Sequence, residues 1–256
     1  MFFRTESFKD FLRFYPIVTG IIALQLVIWL LTFISPTLQQ WIILWGGNFN
    51  AAIEAGQFWR VVTSIFIHAP NSFTHVLFNS FSLVLFGPAL EQMLGKAKFI
   101  FVYLFTGIIG NVFTVLLADP GYFSYGASGA VYGIIGVYIF MTLFRKDLMD
   151  PSSSQVIVII AVIGLLMTFL RPGINIYAHL FGFIAGIALG PVILTKAQPF
   201  SPWRNRRRQR DPDEIGFDPN RWKKRRFLRG KNTHNIIWGI IIVLIVLGLL
   251  RNLSLF

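Results

Sequence analysis

Seven apolar runs, most of them nearly long enough to be a membrane span, recur along this 256-residue chain with polar, mostly basic stretches between them. A helix needs roughly 20 apolar residues to cross the hydrocarbon core, about 17–25 being usual. The runs therefore predict transmembrane helices over residues 16–34, 73–94, 99–117, 128–144, 155–170 (a short one), 174–194 and 235–250. The fold class this implies is an all-α polytopic membrane bundle. The composition agrees: 55% of residues are hydrophobic, 13% are charged and the mean hydropathy is +0.64, whereas a soluble domain carries about 25% charged residues.

The placement of Lys and Arg tests the helix count independently, because cytoplasmic loops are enriched in them. With the N-terminus in the cytoplasm, the inner side receives Arg4, Lys9, Arg13, Lys96, Lys98, Arg145, Lys146 and 13 basic residues between Lys196 and Lys231. The outer side receives only Arg60, Arg171 and Arg251. This partition puts the C-terminus outside and divides the chain into a six-helix core (1–195), a basic cytoplasmic linker (196–234) and a seventh helix with a short tail (235–256). The net charge of +12 is concentrated in that linker. Flanked by apolar helices, it predicts attraction to anionic lipid headgroups and fixation of topology, not nucleic-acid binding. No cysteine is present, so disulfides and thiolate metal sites are excluded. Arg4, Lys9 and Arg13 precede the first run without a clear small-residue cleavage site, which predicts a retained helix. Together with the compact length, this points to a bacterial plasma membrane.

An outside loop of nearly 40 residues separates the first two spans and contains Gly46-Gly47, Gly56 and Gln57-Phe58-Trp59-Arg60. Its Trp, Phe and Ile content suits a structured piece lying in the interface.

Chemistry-bearing residues collect at one level. Ser128, in Gly126-Ala127-Ser128-Gly129, and His179, in Ala178-His179-Leu180-Phe181-Gly182, each fall just inside the outer start of a span. At a rise of 1.5 Å per residue, Ser128 lies about one turn below the surface and His179 roughly 8 Å down. His75 and Asn79 lie four residues apart, on one face of another helix entering from outside. A neutral His within reach of a Ser hydroxyl makes it a nucleophile near pH 7. The oxyanion that follows requires donors such as an Asn amide, an imidazole or backbone N–H groups. The glycines around Ser128 allow close approach of the backbone to a substrate. Gly182, Gly186 and Gly190 form one small-residue row, and Gly129 and Gly133 another; such rows let helices pack closely in lipid and would bring His179 towards Ser128. Singly, each residue has a plainer role: a back-bonded serine, an interhelical asparagine bond, ordinary glycine packing. A membrane histidine is the hardest to explain that way, and four such residues at one depth are harder still.

The motifs Trp59-Arg60, His75-Val-Leu-Phe-Asn79, Gly87-Pro88-Ala89-Leu90-Glu91, Gly126-Ala-Ser128-Gly and Ala178-His179-Leu-Phe-Gly182 occur in the order seen in rhomboid intramembrane serine proteases. The chain resembles that family over about residues 10–195. The resemblance implies a six-helix rhomboid-like bundle, here of the "six plus one" type. It implies a Ser128–His179 dyad without an acidic third member, and an oxyanion site from His75, Asn79 and the Ser128 backbone N–H. Tyr132 would stack on the His179 ring, Trp59 and Arg60 would hold a membrane-embedded first loop, and Glu91 would stabilise the core through hydrogen bonds. The substrates implied are transmembrane segments of other proteins, cut near their outer end, and no cofactor is needed.

Two departures accompany the resemblance. Phe181 fills a position that is often small in relatives. His68 lies seven residues before His75 and reads as a surface histidine, while Asp119 reads as a solvated loop carboxylate and not a triad acid. No His-Glu-x-x-His run and no paired intramembrane aspartates are present, which removes the metallo- and aspartyl-protease classes. The rival reading is a catalytically inactive rhomboid-like protein that binds membrane clients; such relatives typically lack the Ser or the His, and both are here. A transporter would call for a broken-helix pair or an ion-coupling carboxylate, and neither is evident.

Overall fold

Prolines and capping side chains set the helix boundaries. In the computed structural model, which describes residues 1–2, 6–70 and 72–204, α1 (Phe8–Phe14) meets α2 (Pro16–Leu31) at a bend of 104°. Proline suits the first helical position but disfavours helical geometry in the residue before it, and Tyr15 accordingly sits at φ −125°, ψ 62°. The first amides of a helix lack intrahelical acceptors. For α2, the buried Glu91 carboxylate supplies them, accepting from Ile17 N at 3.1 Å and Val18 N at 2.9 Å.

Glu91 belongs to α6 (Phe73–Leu94). Gly95, at φ +80°, makes the left-handed turn into α7 (Lys96–Leu117). Then come α8 (Ser128–Phe144), α9 (Pro151–Leu170) and α10 (Ile176–Ile193). Side-chain caps open α6 (Ser72), α9 (Asp150) and α10 (Asn175), each accepting from an amide three residues on. At the far end of α10, Arg145 and Lys98 donate to the carbonyls of Leu194 and Ile193 at 2.8 and 3.3 Å, cations placed where the helix dipole favours them.

Four expected boundaries move by two residues or more, the first run's helix ending at Leu31 instead of 34. The fifth run is not short: its helix starts at Pro151 and spans 20 residues, because the serines after Pro151 continue the helix that Asp150 caps. α7 reaches back to Lys96, and α10 starts at Ile176 instead of 174. Among the described residues α6, α7, α9 and α10 are each long and apolar enough to span a membrane, and the bent α1–α2 pair passes the same test only when taken as one span. α8 has only 17 residues. It is the central helix, packing against α6, α7, α9 and α10, with Gly129, Ala130, Val131 and Gly133–Tyr138 all buried. The chain is an integral multi-pass membrane protein. The seventh run and nearly all of the basic linker lie outside the described residues.

Residues 1–201 form one compact unit. Leu83, Leu90, Phe99, Tyr103, Ile134, Tyr138 and Met141 are fully buried at its centre, while apolar side chains such as Ile159, Ile163, Leu166 and Phe169 on α9 face outward, as lipid permits.

The long loop after α2 folds into short pieces: α3 (Pro36–Gly46), β1 (Asn48–Phe49), α4 (Asn50–Glu54), α5 (Arg60–Thr63) and a 3₁₀ turn at Ser64–Phe66. β1 pairs antiparallel with β2 (Phe123–Ser124), matching Asn48 with Ser124 and Phe49 with Phe123. This bridge, which the all-helical reading did not contain, gives irregular backbone the partners it would otherwise lack, and it ties the loop to the segment leading into α8. Arg60, only 4% exposed, donates from Nη1 to the Leu44 and Gly47 carbonyls and from Nε to the Gln57 side chain. Trp59 donates to Trp45 O at 3.1 Å and Thr63 to Gly46 O at 2.7 Å. Together these side chains satisfy the orphan carbonyls at the end of α3.

Candidate active site

The N-terminal ends of α6, α8 and α10 meet at one end of the bundle. Ser128 is the first residue of α8 and is half-buried. His179 is the fourth residue of α10, in its first turn, and buried. It therefore lies nearer its helix end than the sequence spacing predicts, since the helix begins two residues later.

Glycines set how closely these helices approach. α8 and α10 run parallel with their backbones in contact: a Cβ on Gly182 would strike the Gly129 carbonyl, and one on Gly186 the Gly133 carbonyl. Gly190 differs, facing the Phe140 ring. Gly129, next to Ser128, lies against Ala178, next to His179, with its Cβ position 3.1 Å from Ala178 O. The two residues are thereby brought onto one seam, although no hydrogen bond joins Ser128 to His179 among the described residues.

Two side chains place the His179 ring, and a third fixes the start of its helix. Tyr132, one turn after Ser128, stacks on it at 4.3 Å between centroids and 24° between planes. Thr168 Oγ1 lies 2.9 Å from Nδ1, and Tyr132 Oη lies 3.2 Å from the same Thr168 oxygen. Asn175 accepts from Ala178 N and from Thr114 Oγ1, and donates to Ser124 Oγ at 3.0 Å. This anchors the start of α10 to the strand preceding the serine.

On the opposite side stands His75. A Cβ on Gly126 would lie 2.8 Å from His75 Nε2 and 3.8 Å from Ser128 Oγ, and Gly126 has φ +136°. The glycine is thus required both by its backbone conformation and by the imidazole filling its side-chain space. Its amide donates to Ser64 O at 2.9 Å, and Ser64 is held in turn by Asn111. Asn79 is 6% exposed and donates to the His75 carbonyl at 3.0 Å, so its amide folds back on its own helix.

α8 differs from its neighbours at this end. No side chain caps it: Ala127 occupies the N-cap position. At this end α6 and α10 are capped by Ser72 and Asn175, and an uncapped helix N-terminus attracts negative charge.

His68 is a correction. It is fully buried, not a surface residue, with its ring 5.2 Å from that of His75. The Trp29 indole on α2 donates to Ala69 O at 3.0 Å, which holds this stretch against the bundle. Burial, and then the neighbouring His75, hold its imidazole down at about 3, from an ordinary 6.5. Asp119 is exposed. Phe181 stacks on Phe113 at 3.9 Å with the rings nearly parallel, so the bulky residue is accommodated by an aromatic partner on α7.

The residues 55–196 match the rhomboid domain family model. The chain belongs to the rhomboid family. Among its relatives is a Bacillus subtilis (strain 168) protein named "Putative rhomboid protease YdcA", 45% identical over 201 residues that cover 77% of this chain and 98% of that one. The rhomboid protease GluP of the same organism is 31% identical over 70% of this chain but only 35% of its own length. A rhomboid-like protease 3 of Toxoplasma gondii is 33% identical over 59% of this chain and 57% of its own. The rhomboid motifs seen in the sequence lie on α5, α6, α8 and α10.

Thr168 carried no signal in the sequence. A threonine near the end of an apolar run reads as back-bonded to its own helix, which it also is, donating to Gly164 O at 2.9 Å. Asn175 could have been found as an N-cap before an apolar run.

Proposed function

We propose that this chain is an intramembrane serine endopeptidase that cuts transmembrane segments of other proteins near their outer end, with Ser128 as nucleophile and His179 as its base. The observation that supports the reading is the backbone contact of Gly129 with Ala178, the neighbours of Ser128 and of the His179 whose ring stacks on Tyr132. Ser128 Oγ attacks the scissile carbonyl carbon while its proton passes to His179 Nε2. The electron pair of the C=O bond moves to oxygen, where the uncapped α8 amides, His75 and, after reorienting from the His75 carbonyl, Asn79 are suited to stabilise it. Collapse of that intermediate expels the amine, which takes the proton from His179 and leaves an acyl-serine. Water, deprotonated by His179, then hydrolyses the ester.

A substrate helix has to unwind to expose a peptide bond, so segments with small or helix-breaking residues are preferred. The N-terminus lies in the cytoplasm, and the site opens towards the outer face of a bacterial plasma membrane. The basic linker rests on anionic headgroups and takes no part in the chemistry. The names borne by the relatives support the protease reading, and the presence of both Ser128 and His179 weighs against an inactive client-binding protein.

The test uses the full chain in detergent with a model transmembrane substrate. Ser128→Ala and His179→Ala should each abolish cleavage with the fold intact; full activity in Ser128→Ala overturns the dyad. Asn79→Ala should lower kcat more than it raises KM, and the reverse would make Asn79 a binding residue.

A further inference from the structure

Thr168 meets three polar partners with one proton to give. A hydroxyl has a single donor hydrogen and two acceptor lone pairs. Thr168 Oγ1 donates that hydrogen to the Gly164 carbonyl at 2.9 Å, and a carbonyl can only accept. With the hydrogen on the Gly164 carbonyl, the contacts at 2.9 Å to His179 Nδ1 and 3.2 Å to Tyr132 Oη occupy its two lone pairs, and both partners then act as donors. The oxygen is saturated, and Thr168 is 1% exposed.

We infer that Thr168 is a positioning residue that holds His179 as the Nδ1–H tautomer, leaving the lone pair on Nε2. The inference rests on the proposed role of His179 as base, and it gives that role a specific cause. An imidazole protonated on Nε2 instead could not accept a proton there from Ser128. The control is divided between two helices. Tyr132 on α8 fixes the plane of the ring by stacking and reaches the same oxygen with its hydroxyl, while Thr168 on α9 fixes rotation within that plane. When Nε2 takes the serine proton, the Nδ1–H bond to Thr168 becomes charge-assisted and shortens the lever by which the cation could swing away. The acceptor is a neutral hydroxyl in the place where soluble triads use a carboxylate, so no second buried charge has to be carried within the apolar bundle.

Two independent measurements test this. In the first, ¹⁵N-histidine-labelled full-length protein in detergent is examined by NMR at neutral pH, with the His179 signals assigned by their loss in His179→Ala. Nδ1 should carry the proton and Nε2 should be bare; the opposite pattern overturns the inference. In the second, cleavage kinetics compare Thr168→Ser with Thr168→Val. Serine keeps the oxygen and should stay within about threefold of the parent, whereas valine removes the acceptor at similar shape and should lower kcat about tenfold to hundredfold with little change in KM. Parental kcat in a folded Thr168→Val variant overturns the inference. If that variant does not fold, the NMR measurement on the unsubstituted chain decides alone. Failure of the dyad reading is recognised separately, as cleavage that survives Ser128→Ala.

Discussion

The α8–α10 seam and the loop between α2 and α6 solve the same problem in opposite ways. The seam is nearly featureless chemically: Gly129, Gly133, Gly182 and Gly186 lay one backbone on another with no side chain between. Both helices satisfy their own hydrogen bonds, so shape alone decides how they meet. The loop has irregular backbone and depends on Arg60, Trp59, Thr63 and the β1–β2 bridge to occupy its carbonyls. The candidate site lies between the two. Ser128 and His179 come from the seam, while Gly126, whose side-chain space His75 fills, is bound through its amide to Ser64 on the loop side. A geometry needed to within a fraction of an ångström sits on the part with no adjustable side chains.

The sharpest way to break this contrast is Gly186→Val. Its side chain would enter the Gly133 carbonyl, and overpacking of a site with only backbone to displace should cost about 3 kcal/mol or more. Loss of the thermal transition and of cleavage is expected, and a variant that melts normally would show that the seam can yield. Arg60→Met comes next. It leaves the Leu44 and Gly47 carbonyls without a donor, and about 2–4 kcal/mol should be lost. Cleavage should fall while the NMR signals of α8 and α10 residues stay in place; if those signals move as they do for Gly186→Val, the two regions are not separate.

His68 supplies a pH arm. Its folded-state value near 3 lies below the ordinary 6.5, so the unfolded chain binds the extra proton. Its contribution to stability is whole above pH 6.5 and is lost as pH falls from there towards 3. A loss of about 1–2 kcal/mol between about pH 7 and pH 5 is expected, and His68→Gln should flatten that slope in thermal melts. An unchanged slope would remove His68 from the account. Trp59→Phe should cost about 1 kcal/mol, the worth of one hydrogen bond at a half-exposed site. Smallest of all, Gly20→Ala, where a Cβ meets nothing within 4 Å, should stay within about 0.5 kcal/mol. It separates glycines needed for close approach from glycines that are merely present.

The helices were legible because a membrane span leaves a long apolar record, and because Lys and Arg mark its ends. Two of the boundaries moved where polar residues extend a helix, Ser152–Ser154 after the Asp150 cap and Lys96 after Gly95, and two where a helix is shorter than its apolar run, at Leu31 and Ile176. The candidate site was legible in its residue types and helix ends. His68 was misread because seven residues of separation say nothing of a loop that folds back. Thr168 was invisible because its partner is on another helix, and a local hydrogen bond already explained it.

The sequence by itself determined that the chain inserts in a membrane, which of the six runs among the described residues become helices, and which family it belongs to. These follow from local apolarity, charge placement and motif order, properties that each segment carries alone. Only the tertiary structure decided that Gly126 makes room for His75, that Glu91 caps α2 rather than merely lying within α6, and that Thr168 meets His179. Each is a contact between segments distant along the chain, set by how closely whole helices can approach, and no local pattern encodes that distance.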